Sequence, residues 1–77
     1  MFVIVINERP LFGEPGDRYE VEFGDDFDAA SEALVEWADW MDRGVDSVLT
    51  LNNPKGEGWN MRPVLIAEIA LTYRRDT

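Results

Sequence analysis

Five carboxylates recur at helical spacing in residues 25–39: Asp25, Asp28, Glu32, Glu36 and Asp39. At about 100° per residue they fall within about 80° of one another, with Asp42 at the edge of the set. Carboxylates act as general acids and bases, ligate hard cations, or pair with a cationic partner. Acid and base work requires two carboxyl groups in a cleft with their pKa values pushed apart, whereas these lie on a predicted solvent face. The chain has no histidine and no cysteine, which removes the common nucleophile and base pairs. The sequence therefore reads as a binding protein and not an enzyme. Asp25, Asp26 and Asp28 lack the alternating ligands, central glycine and terminal glutamate of a calcium loop. They read instead as helix-capping and first-turn acids. Gly56, Glu57 and Gly58 match no phosphate-cradling loop, since no lysine and helix follow in the required pattern. No catalytic residue, metal or cofactor is expected.

The acidic ladder invites a different use. No lysine or arginine interrupts it before Arg43, and like charges three or four residues apart on a helix cost a few tenths of a kcal/mol each. A helix selected for stability would alternate signs. Glu20 and Glu22 on the preceding strand extend the set, and rungs about 4.5 to 6 Å apart along the axis compare with the charge spacing of nucleic acid. Trp40 falls at the border of the apolar stripe, where a tryptophan can serve as an interface hot spot. The candidate partner-binding residues are thus Glu20, Glu22, Asp25, Asp28, Glu32, Glu36, Asp39 and Trp40.

Sixteen acidic residues against seven basic ones give a net charge of −9, which opposes phosphate and anionic lipid surfaces. The imbalance belongs to residues 1–46, with thirteen acids and three bases. The expected partner is a basic protein, with nucleic-acid-binding proteins and nucleases as the class whose groove fits; direct nucleic-acid or membrane binding is not expected. In charge and size, though in no motif, the chain resembles small acidic nuclease inhibitors and the DNA-mimic proteins of phages. That resemblance implies inhibition by occupying a basic groove. In the alternative reading, a structural or assembly protein associates through its sheet, as a homodimer or larger, and the acids serve only solubility.

These side chains must be positioned by a small fold. Seventy-seven residues, 45% of them hydrophobic, suffice for a single compact domain spanning residues 1–77. The absence of cysteine leaves stability to packing and fits a reducing, cytoplasmic setting. The apolar run at residues 2–6 is far too short to cross a bilayer, and no basic stretch precedes it as in a secretory signal. That run reads as a central strand. Residues 7–17 read as a long loop in which Leu11 and Phe12 tuck inward as anchors. Residues 18–23 alternate strictly, with Tyr19, Val21 and Phe23 on one face.

A helix is predicted from a cap at Asp25 or Asp26 to about Arg43, with Gly44 closing it. Its buried stripe is Phe27, Ala30, Leu34, Trp37, Ala38 and Met41. Residues 45–51 and 64–73 read as third and fourth strands, and residues 52–63 as a loop containing Trp59 and Met61. The predicted class is α+β, ββαββ: a four-stranded antiparallel-rich sheet with one amphipathic helix on one face, in order 2-1-3-4 or 2-1-4-3. The face away from the helix, with Val3, Val5, Val48, Val64 and Ile66 available for both sides, would need cover from loops or a second subunit.

Overall fold

The computed structural model describes residues 1–75. Strand β1 (Phe2–Glu8) pairs antiparallel with β2 (Arg18–Gly24) on one side and with β5 (Ile66–Tyr73) on the other, giving a three-stranded sheet in order β2-β1-β5. Helix α1 (Phe27–Asp42) follows β2. A separate antiparallel hairpin is formed by β3 (Leu49–Asn52) and β4 (Gly58–Met61), and a 3-10 turn at Pro63–Leu65 leads into β5. The α+β class, the single helix and the antiparallel pairing stand. The four-stranded sheet is corrected to a three-stranded sheet plus a two-stranded one.

The correction has a local cause. The third strand finds its partner in residues 58–61 because Asn53, Pro54, Lys55 and Gly56 turn the chain back on itself, with Gly56 at φ 84° and its amide donating to the Asn53 carbonyl at 3.0 Å. Proline early in a turn and glycine in the left-handed region are what such a reversal requires. Trp59 and Met61, read from the sequence as loop residues, therefore sit on β4, opposite Leu51 and Leu49. The last strand begins two residues later than predicted, because Pro63 nucleates the 3-10 turn. A bulge between Asn7 and Glu8 of β1 then resets the register, so that Ile66 is buried and Ala67 exposed.

The helix follows its local signals closely. The Asp26 carboxylate accepts from the Ala29 amide at 3.0 Å, as an N-cap does. At the other end Gly44 donates to Met41 and Val45 to Trp40, at 3.1 and 3.0 Å, with Gly44 at φ 66°, a complete Schellman closure. Its buried arc is turned from the predicted one. Ala30 and Trp37 are fully buried, and Ala29, Ala33, Leu34, Trp40 and Met41 pack against the core. Ala38 is exposed and Phe27 is 51% exposed, although the Phe27 ring stands 5.3 Å from Phe2. The hairpin lies along the Ala29 and Ala33 side and draws the buried arc toward it.

The core gathers Ile4 and Ile6 of β1, Val21 and Phe23 of β2, Trp37 of α1, Leu51 and Met61 of the hairpin, and Ile66. Strand alternation puts Val3, Val5, Glu20 and Glu22 on the far face of the sheet. Val3 is fully buried there, so that face needs less cover than its sequence implies. The expected tucking-in of the loop anchors is corrected: Leu11 is 49% exposed and Phe12 fully so, at the tip of a tight turn with Phe12 at φ 54°. Gly16 lets this loop close, since a Cβ at that position would lie 2.1 Å from the Glu8 carbonyl oxygen. No helix among the described residues is long and apolar enough to cross a membrane.

Candidate functional site

The outward side of α1 carries Asp28, Ser31, Glu32, Val35, Glu36 and Asp39, which line one shallow furrow. All six come from a single helix, so the furrow is a surface and not a cavity. Asp28, Glu32 and Glu36 are exposed and have no ion-pair partner among the described residues. Asp39 pairs with Arg43 one turn on, at 2.9 Å. Asp25 lies just before the cap, outside the helix, almost fully exposed and 4.0 Å from the N-terminal ammonium. Val35, 67% exposed, stands amid these acids; helical spacing alone would have placed it there, and sequence reasoning passed it over.

Glu20 and Glu22 are not part of this surface. Because Val21 and Phe23 point into the core, their neighbours point to the opposite face of the sheet, away from the helix. There Glu20 meets Arg74 in a two-pronged contact, Nη1 to Oε2 at 2.9 Å and Nη2 to Oε1 at 2.7 Å, while Arg18 adds a third bond at 3.2 Å. Hydrogen bonds from these two guanidinium groups, Arg74 first, hold the Glu20 carboxyl down at about 2, and the Glu20 carboxylate in turn raises the pKa of Arg74. Lys55 approaches Glu22 at 3.6 Å. On the same strand Tyr19 is pushed up to about 12, first by the neighbouring Glu8 carboxylate and then by burial.

Trp40 is half-buried, with its ring 5.2 Å from that of Trp37 and nearly edge-on to it. It belongs to the core border and stands apart from the acidic furrow. Compared with protein-family models, curated proteins and solved structures, the chain matches none.

A second concavity lies where α1 faces the hairpin, with a volume of about 440 Å³. Its helix wall includes Ala29, Ala33 and Trp37, and its hairpin wall Thr50, Leu51 and Asn52. Glu32 and Glu36 border both this groove and the outer furrow. The sequence carried one signal for it: two alanines spaced four apart beside acids, which leave room that larger side chains would fill. The hairpin wall was invisible while residues 52–63 read as loop. Among the described residues no three acids converge to hold a metal ion.

The hairpin is held in place by Asn53, 6% exposed. Its Nδ2 donates to the Glu22 carbonyl at 2.9 Å and to the Glu57 carboxylate at 3.1 Å, and its Oδ1 accepts from the Glu57 amide at 3.0 Å. One buried amide thus ties the turn to β2 and fixes the groove wall. Arg62 likewise pairs with Asp46 beyond the helix.

Proposed function

We propose that this protein is an acidic protein-binding module whose α1 face engages a basic surface on a nucleic-acid-binding protein, as an inhibitor or nucleic-acid mimic of the phage or immunity type. The carrying observation is where the chain's own cations go. Arg18 and Arg74 pair with Glu20, Lys55 with Glu22, Arg43 with Asp39 and Arg62 with Asp46. None reaches Asp28, Glu32 or Glu36, so the centre of the helix face keeps its charge for another molecule. From Asp28 to Glu36 that charge extends over about 12 Å of helix axis, and such a field speeds encounter with a basic partner and fades with salt.

The test is displacement of duplex DNA from a panel of basic DNA-binding proteins and nucleases at low and high ionic strength. The intact chain should displace DNA from at least one of them, and Glu32→Lys/Glu36→Lys should not. If no panel member releases DNA at low salt, or if the double variant competes equally well, the helix face is not the binding surface.

A second reading has one observation in its favour. The outer edge of β5 has no strand partner among the described residues, and its eight residues include a single charge, Glu68. Such an edge can pair with a second copy of the chain. Sedimentation at high micromolar concentration separates the readings: a strict monomer excludes self-assembly through β5.

A further inference from the structure

The groove between α1 and the hairpin differs in kind from the acidic furrow, because two elements wall it and its floor is apolar. Phe23, Ala29, Ala33, Trp37 and Leu51 line it beneath the carboxylates of Glu32 and Glu36, and Thr50 and Asn52 supply polar atoms on the hairpin side. Among the described residues no lysine or arginine lines it. The walls are fixed: the helix is capped at both ends, and Asn53 locks the hairpin to β2.

We infer that this groove receives an arginine side chain of the basic partner. The inference rests on the reading of α1 as an acidic ligand surface and gives that surface a specific pocket. An arginine has an apolar stem of three methylenes that lies down on an alanine-lined floor, and a charged head that stays at the rim. Its planar guanidinium offers five donors in a fixed fork, enough to meet carboxylates on the helix side and hydroxyl or amide oxygens on the hairpin side together. Lysine offers a more strongly hydrated point charge and matches only part of this set. Glu32 and Glu36 border the furrow as well, so one basic segment can lay its charges along the outer face and insert one side chain between helix and hairpin.

The experiment is an amide and indole NMR titration of the full chain with tetra-arginine amide and with tetralysine amide at low ionic strength. Tetra-arginine should shift Ala29, Ala33, Leu51, Asn52 and the Trp37 indole, and should bind more tightly than tetralysine. Ala33→Leu fills the floor without changing charge and should weaken tetra-arginine about tenfold, the loss expected when roughly two methylenes' worth of contact is excluded. Phe12→Asn, in the loop after β1 and lining neither groove nor furrow, should bind as the parent does. Should Ala33→Leu lose the native spectrum, Thr50→Lys on the exposed hairpin wall replaces it, placing a competing cation at the groove with the same expected loss.

Shifts confined to Ser31, Val35 and Asp39, with groove variants binding normally, would overturn the groove and leave the acidic face standing. Equal affinity for the two peptides would overturn the assignment to arginine. The absence of any shift with either peptide would overturn both the groove and the reading on which it rests.

Discussion

Among the described residues, Glu20 is the acid that meets two guanidinium groups at once. Arg74 reaches it from beyond β5, across the strand that separates them, and Arg18 reinforces the contact from the same strand. The folded-state pKa of about 2 lies below the ordinary carboxyl value of 4.5, so Glu20 behaves as a depressed acid: its contribution is fully present above the unfolded value and is lost as pH falls through the folded one. Comparing the parent with Arg74→Gln, the variant should be less stable near neutrality. That gap should close as pH falls from about 4.5 toward about 2. Denaturant unfolding at a series of pH values measures it, and a gap that persists unchanged at the acid end would show that Arg74 acts by packing alone. Phe12 is the opposite case, a fully exposed aromatic at φ 54° in a backbone region that L-residues other than Asn and Asp rarely adopt.

At the scale of elements, the hairpin is the part that local patterning misplaced and the part on which the groove depends. Its inward residues Leu51 and Met61 are buried, while outward Thr50 donates to Asn60 across the ladder at 2.6 Å. Four-residue strands are marginal by themselves, so the attachment through Asn53 matters. Asn53→Ala should cost about 1 to 3 kcal/mol, because the Glu22 carbonyl and the Glu57 amide lose a buried partner. Chemical denaturation reads the cost directly, and a change below about 0.5 kcal/mol, the scatter of ordinary surface substitutions, would mean that water replaces the amide without penalty.

Across the whole molecule the net charge of −9 sets two responses to salt with opposite sign. Self-repulsion destabilises the compact state and is screened as the Debye length falls from about 30 Å at 0.01 M to about 8 Å at 0.15 M. Thermal stability should therefore rise with added salt over that range, by a few degrees, while affinity for a basic partner falls. Calorimetry at matched pH checks the first half. A melting temperature that is flat or falls with salt would mean that the ion pairs on Glu20, Glu22, Asp39 and Asp46 outweigh the repulsion among the rest.

The helix, its two caps and its acidic face were legible from residues 25–44 alone, because capping, glycine closure and 3.6-residue periodicity are local and need no tertiary partner. The first two strands were legible as well, through alternation and β-branched runs. What the linear chain left open was decided by contact between distant segments. Reversal at Pro54 and Gly56 paired the third strand with Gly58–Met61, in a sheet of their own. The hairpin then turned the buried arc of the helix toward Ala29 and Ala33, and strand alternation sent Glu20 and Glu22 to the far face with Arg74. Periodicity specifies which residues share a face of one element, but which neighbour covers that face depends on how elements pack, and only the folded chain settles it.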